Sequence, residues 1–341
     1  MACRAESSAK ADEIRFMRRA LSLAGRSCGH TRPNPPVGAV VVKGGAVVGE
    51  GRHVRCGADH AEVAALKSAM RRGRSVKGST VYVTLEPCSK PGRVGACCDA
   101  LIAAGVKRVV WAVPDPNPKN AGRAARVLRR AGIEAECWKP QVRDEGVRAC
   151  VEAAQKLIAP FAKHVSAGIP FVTVKIAMSL DGRICDDSGD AKWISSEDAR
   201  RATGLLRERV DVIMVGAETV RRDNPSLLSH GRRNDDLFRA VVTGSGNLPP
   251  KAQIFTDAAK DRTLVFKVDK SGLRGVMRKL GDMGFMHVLC EGGLELARSL
   301  AEAGLVDEWI AVLAPKVVAH RPVSKAIPIE NVILMPDACD M

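Results

Sequence analysis

Three short stretches carry residue types that can do chemistry together: His60-Ala61-Glu62, Glu86-Pro87-Cys88, and the Cys97-Cys98 pair that begins nine residues beyond Cys88. One imidazole and two thiolates suit a catalytic zinc, which takes three protein ligands and keeps a fourth position for water. His60 and Cys88 supply two of them, and Cys97 or its neighbour Cys98 supplies the third. A cysteine that opens a helix is favoured as thiolate, because the helix dipole is positive there. Glu62 sits two residues from His60. In such an arrangement it is an acid/base rather than a ligand, placed to take a proton from metal-bound water. Singly, each residue has a plainer meaning, since a His-Glu pair at a helix start is commonly a capping feature and a lone cysteine there is commonly buried and inert.

The elements that must position these residues follow from periodicity. Ile14, Met17, Leu21 and Ala24 repeat at helical spacing, and VGAVVVK and AVVGEG read as a hairpin around Gly44-Gly45. HAEVAALKSAM is helical, VYVTL a strand, CDALIAAG a helix with a glycine stop, and KRVVWAV a strand. AGRAARVLRRAG and IEAEC add a helix and a strand, so residues 10–145 are expected to form a three-layer α/β domain. Residues 144–160 read as a linking helix closed by Pro160, and residues 146–168 are expected to link the two domains. From Pro170 the alternation restarts, with strands FVTVKIAMS, DVIMVGAE, RAVVTG, TLVFKV, MHVLC and EWIAVLAP. The helices there are SSEDARRATGLLRER, opened by a serine cap, and LELARSLAEAG, so residues 169–341 are expected to form a second α/β domain.

Composition excludes several classes. Of the 341 residues, 46% are apolar, enough for two cores and too many for a disordered chain. The start carries scattered charge rather than a secretory signal, and no run approaches the ~18 apolar residues of a membrane span. Eleven cysteines without regular spacing do not make a disulfide framework, so a cytoplasmic protein with free thiols is expected. Net charge is +15, yet aromatic residues are only 4%, too few to build stacking platforms for single strands. A small anionic substrate is favoured over nucleic acid or membrane.

In combination, H-x-E followed by a strand and E-P-C is the pattern of zinc deaminases acting on bases, whose second cysteine usually follows three residues after the first. Here the step from Cys88 to Cys97 is nine. In that longer loop, Cys88-SKPGRVGA-Cys97, and in Pro33-Asn34-Pro35-Pro36-Val37-Gly38 and Asp115-Pro116-Asn117-Pro118, the chain resembles the bifunctional riboflavin-biosynthesis deaminase–reductases. The resemblance runs from about residue 12 to about residue 318 and selects Cys97 as third ligand. It implies a cytidine-deaminase-like domain followed by a dihydrofolate-reductase-like one. It also implies zinc-dependent loss of the ring amine from a diaminopyrimidinone ribosylamine 5′-phosphate. Asn34, Asp115 and Asn117 would then line the pocket and Arg93 would meet the phosphate; Lys90 stands where the family has a histidine.

The second half carries further motifs of the same family: Val174-Lys175, Ser179-Leu180-Asp181-Gly182-Arg183, Trp193-Ile194-Ser195, Gly216-Ala217-Glu218-Thr219-Val220, Asp223-Asn224-Pro225 and Glu291-Gly292-Gly293. A strand ending in E-G-G before a helix lets backbone amides approach a phosphate. The resemblance implies reduction of the ribosyl to a ribityl group with hydride from NADPH. Lys175, Ala177, Trp193, Thr219, Asp223 and Gly293 would then lie at the cofactor, and Arg207, Leu227 and Glu291 at the substrate. The chain departs from the family at Ala191, His230, Thr243-Gly244 and Ala319-His320-Arg321-Pro322. Those departures motivate an alternative, a deaminase with a degenerate reductase-like domain; the basic charge motivates another, a nucleic-acid-editing deaminase. The expected assembly is a homo-oligomer.

Overall fold

The computed structural model describes residues 2–90, 95–140, 143–184, 196–229, 236–315 and 332–336. The chain divides into two compact units, Met1–Ala167 and Gly168–Met341.

In the first unit, helix α1 (Ala2–Gly25) precedes strands β1 (Gly38–Lys43) and β2 (Ala46–Arg52), then α2 (Ala61–Arg71), β3 (Thr80–Leu85) and α3 (Cys97–Ala103). β4 (Arg108–Val113), α4 (Ala124–Arg130), β5 (Glu134–Cys137) and α5 (Glu145–Ala167) complete it. The sheet order is β2-β1-β3-β4-β5, with β1 antiparallel to both neighbours and β3, β4 and β5 parallel. Alternation explains the three layers. Ala39, Val41, Val81, Val83 and Val109 face one core with α2, α3 and α4, while Val40, Val42, Tyr82 and Val110 face the other with α1 and α5. Each fully buried valine contributes about 1.5–3 kcal/mol of transfer free energy, so a sheet covered on both faces is held from both sides.

Three glycines set the geometry that matters downstream. Gly44 and Gly45 both adopt positive φ, 57° and 74°, which closes the β1–β2 hairpin. At Gly51 a Cβ would lie 2.3 Å from the Ala65 amide nitrogen and 2.4 Å from the Ala61 carbonyl, so only glycine lets the start of α2 press onto β2.

Helix α5 takes up most of the 146–168 segment and lies in the first unit, burying Val147, Cys150, Val151, Ala154 and Ile158 against α1 and the sheet. Pro160 does not close it, contrary to the expectation from its type; the helix runs on to Ala167. A proline costs one main-chain bond, to the carbonyl four residues back. That residue is Lys156, which is exposed, so water can serve its carbonyl while the buried face continues to pack.

The second unit comprises β6 (Phe171–Ser179), α6 (Glu197–Arg207), β7 (Val212–Gly216), α7 (Ala217–Asp223), β8 (Phe238–Thr243), α8 (Gln253–Thr256) and β9 (Thr263–Lys267). α9 (Gly272–Asp282), β10 (His287–Cys290), α10 (Leu294–Glu302), β11 (Glu308–Ala314) and β12 (Val332–Pro336) follow. The order is β12-β11-β6-β10-β7-β8-β9, and every described pair is parallel. β10 returns to lie between β6 and β7, so the sheet reverses its direction of growth there, and ligands of such sheets sit beyond the carboxyl ends of the strands at that point. The serine cap of α6 is present, Ser196 Oγ accepting from the Ala199 amide at 3.2 Å. Among the described residues no helix is long and apolar enough to cross a membrane.

Candidate active sites

The close approach of α2 to β2 places His60 at the N-cap of α2 and Glu62 in its first turn. Cys88 follows the end of β3, and Cys97 is the first residue of α3. The structure brings His60, Cys88 and Cys97 together, with one donor atom from each lying within 4.8 Å of the others. His60 Nδ1 is 3.2 Å from Cys97 Sγ and 3.5 Å from Cys88 Sγ. Four bonds of about 2.0–2.3 Å in a tetrahedron call for separations of this order, so the donor set and spacing fit zinc. Cys98 is turned away: its Sγ contacts the Pro87 carbonyl at 3.9 Å and the residue lies in the apolar cluster under α2.

Electrostatics separate the roles further. The Cys97 thiol hydrogen-bonds Cys88, which together with the His60 ring holds the Cys88 thiol down to about 4. The same shared proton pushes Cys97 up, and burial pushes Cys98 up to about 12. His60 is raised, chiefly by its bond to Cys88. Glu62 is only 3% exposed and hydrogen-bonds Cys97. Burial first, and the Cys88 charge second, push its carboxyl up to about 7, where a carboxylate can both accept and return a proton.

Asn34 reaches this centre through a residue that motif reading missed. His53 Nδ1 lies 3.0 Å from the Asp59 carbonyl, which can only accept, so the proton sits on Nδ1. Nε2 therefore accepts from Asn34 Nδ2 at 3.0 Å, which keeps Asn34 Oδ1 available as an acceptor. The His53 ring stands edge-on to that of His60, 5.2 Å away, and burial lowers its pKa in keeping with a neutral ring. His53 has no spacing signal in the sequence.

Asp115 and Asn117 lie in the turn after β4. Asp115 Oδ1 accepts the Asn117 amide at 2.8 Å, and burial raises the Asp115 pKa. Glu86, 3% exposed, anchors this turn by accepting the amides of Asp115, Gly122 and Ala124 at 3.0–3.1 Å. Its place in E-P-C marked it, but nothing local revealed what it holds. Lys90 is exposed, and Arg93 lies outside the described residues.

In the second unit a cavity of about 1290 Å³ opens at the carboxyl ends of β6, β7, β8 and β10. Lys175, Ala177, Arg207, Thr219, Asp223, Glu291 and Gly293 all line it. Arg207 pairs with Glu291 through two bonds of 2.6 and 2.9 Å and donates a third to the Leu228 carbonyl at 2.9 Å. Burial lowers the Lys175 pKa, opposed by the Glu291 charge and assisted by that of Arg207. Gly293 caps α10 with extended backbone, so the first amides of that helix face the cavity rim. Leu227 does not line the cavity. It holds φ 55° and its side chain is buried with Val220, Leu237 and Val241; from its loop it is the Leu228 carbonyl that meets Arg207. Thr243 and Gly244 line the cavity at the end of β8. Trp193, Ala191, His230 and residues 319–322 lie outside the described residues.

Two family models match this arrangement: the cytidine and deoxycytidylate deaminase zinc-binding region over residues 10–113, and the RibD C-terminal domain over residues 170–330. The chain is a two-domain enzyme, a zinc-binding deaminase followed by a reductase, and its cofactors are zinc and a nicotinamide. The riboflavin biosynthesis protein RibD of Escherichia coli (strain K12) is 39% identical over 332 residues, covering 88% of this chain and 87% of the relative. That of Aquifex aeolicus is 36% identical over 324 residues, covering 89% and 87%. Among solved structures, Acinetobacter baumannii RibD superposes with a TM-score of 0.78 at 34% identity, covering 91% of this chain and 88% of that one. A diaminohydroxyphosphoribosylaminopyrimidine deaminase/5-amino-6-(5-phosphoribosylamino)uracil reductase from Thermotoga maritima gives 0.81 at 32% identity, covering 92% and 89%. The chain belongs to the RibD family of riboflavin-biosynthesis deaminase–reductases.

Proposed function

We propose that the first unit hydrolyses the ring amine of 2,5-diamino-6-ribosylamino-4(3H)-pyrimidinone 5′-phosphate, and that the second reduces the ribosyl group of the product to ribityl with NADPH. The observation that carries the first half is the convergence of His60, Cys88 and Cys97 beside a nearly buried Glu62. His60 Nδ1 and the two sulfurs would hold zinc, which when bound supplies a water acidic enough to attack at neutral pH. Glu62 would take one proton from the attacking water and pass it to the departing amine while the other ends on the ring nitrogen, so the C–N bond breaks, the ring gains a carbonyl oxygen and ammonia leaves. Asn34 Oδ1 faces the pyrimidine edge, Asp115 and Asn117 meet the ribose, and Arg93 meets the phosphate.

For the second half, the support is the parallel-sheet crevice with its half-buried Lys175 and the Arg207–Glu291 pair. NADPH would supply hydride to the sugar C1′. Lys175 offers a polar hydrogen at the reacting end, and Arg207 with Glu291 fixes the substrate. Gly293 lets the cofactor approach the start of α10, with Ala177, Thr219, Asp223 and Trp193 around it. Thr243-Gly244-Ser245 at the end of β8 brings no carboxylate to the cavity, which suits the extra phosphate of NADPH, and Arg221 and Arg222 line it, both paired with Glu218. The setting is a homo-oligomer in the cytoplasm, acting on a small phosphorylated pyrimidine.

The test is to assay each half-reaction on the purified chain. Ammonia release from the diaminopyrimidinone substrate, and absorbance loss at the nicotinamide band with the deaminated product and NADPH, are the expected results. Ammonia without nicotinamide oxidation would reduce the proposal to a deaminase with a degenerate second domain, and preference for NADH would overturn the cofactor assignment.

A further inference from the structure

Asn120 follows the Asp115-Pro116-Asn117-Pro118 turn and is 8% exposed. Its Oδ1 accepts from the Ser89 amide at 2.8 Å and from the Ser89 hydroxyl at 3.1 Å, while its Nδ2 donates to Asp115 Oδ2 at 2.8 Å. The orientation of this amide is forced. A main-chain N–H only donates and an ionised carboxylate only accepts, so turning the amide over would set donor against donor and acceptor against acceptor.

Two clamps therefore act on one turn, and they differ in what they fix. Glu86 accepts main-chain amides at Asp115, Gly122 and Ala124, so it fixes the path of the backbone. Asn120 bonds the Asp115 side chain itself and ties it to the residue that follows Cys88. With Asp115 Oδ1 held by the Asn117 amide and Oδ2 by Asn120, the plane of that carboxylate is set from both ends.

We propose that Asn120 is a positioning residue of the deaminase site, orienting the Asp115 carboxylate toward the substrate sugar and locking it to Ser89, so that the sugar side of the pocket and the Cys88 segment keep one geometry. The inference rests on the reading above, in which Asp115 meets the ribose. Asn120 touches neither the metal donors nor Glu62 among its hydrogen-bond partners, so its effect belongs in KM rather than in the proton-transfer step.

The experiment compares the wild type with Asn120→Leu and Asn120→Asp, scoring zinc content, thermal midpoint, and KM and kcat for ammonia release from the diaminopyrimidinone substrate. Losing the oriented bond to Asp115 should raise KM about tenfold. Zinc should remain stoichiometric and kcat should stay within about threefold, well inside the factor a lost catalytic group would remove. Asn120→Asp keeps the acceptor for Ser89 but repels Asp115, so its KM should rise at least as far. In an Asp115→Ala background, Asn120→Leu should add nothing further, which a merely structural role would not produce. An unchanged KM in folded, zinc-loaded Asn120→Leu, or additive effects in the double variant, overturns the proposal. A wild type that releases no ammonia defeats the functional reading instead. The clamp is then judged by exchange of the Ser89 amide, expected to be faster in Asn120→Leu, with equal exchange counting against it.

Discussion

The two sites of this chain are built in opposite ways. In the first, the donor atoms come from residues adjoining two helix starts and one strand end, and the groups are drawn within 4.8 Å of one another. In the second, the lining is gathered from the ends of four strands, and its central ion pair joins residues 84 apart in sequence. A metal needs few groups at fixed short distances, and a pair of motifs can deliver them. A dinucleotide and a sugar phosphate need a long crevice, which only a whole sheet can provide. The first site is thus concentrated in side-chain chemistry, the second in shape.

The sharpest way to break that comparison is Glu62→Gln. Ammonia release should fall by roughly 10²–10⁴, the usual worth of a positioned acid/base, with zinc content unchanged. NADPH oxidation with the deaminated product should stay at the wild-type rate. Loss of zinc would show Glu62 to be a ligand, and loss of reduction would show the two sites to be inseparable. The ligand set is tested by its two adjacent thiols. Cys97→Ser should purify without stoichiometric zinc, whereas Cys98→Ser should keep it and lose only about 1–3 kcal/mol of stability, because a hydroxyl replaces a thiol in an apolar cluster.

For the second site, the corresponding break is Arg207→Met. The side chains of Arg207 and Glu291 are 14% and 8% exposed, so removing one leaves a charge with little access to water. Removing one partner of such a pair costs roughly 3–5 kcal/mol. The thermal midpoint should drop and reduction should be lost while ammonia release persists. Retained reduction would show that the pair is framework rather than substrate contact.

This contrast also explains what the sequence disclosed. The zinc donors were legible because H-x-E and E-P-C place chemistry at spacings that a helix start and a strand end dictate. Continuous apolar runs disclosed the central strands of the first sheet, since β1, β3 and β4 are buried on both faces, and six strands of the second, but not β12. Four things were not legible. Pro160 read as a helix stop, but the packing of the α5 face outweighs one missing bond. The insertion of β10 between β6 and β7 depends on long-range pairing that no local pattern carries. His53, Asn120 and the clamp at Glu86 act through partners in other loops, as with Asn120 and Ser89, which are 31 residues apart. Leu227, placed at the substrate by motif position, holds φ 55° and has its side chain in the core, where no local pattern put it.

The smallest predicted effect concerns the frame of the second unit rather than its cavity. His287 opens β10, its Nε2 hydrogen-bonded to Thr173 Oγ1 at 2.9 Å, and the same hydroxyl lies 2.9 Å from Glu308 Oε2. Its ring meets Phe171 edge-on at 5.4 Å. Burial, then the charge of Arg209, pushes its pKa from 6.5 down to about 4. The folded state thus keeps the ring neutral where the unfolded chain takes up a proton. The stability this contributes is complete above pH 6.5 and is lost as pH falls from there through about 4. It amounts to no more than about 3 kcal/mol. Thermal unfolding of wild type and His287→Gln from pH 7 to pH 4 reads it directly: glutamine keeps a donor for Thr173 but does not titrate, so the variant should show the shallower acid slope. Parallel slopes would place the acid sensitivity elsewhere, and with the first unit's own buried imidazole at His53, whose pKa burial also lowers, as the next group to remove.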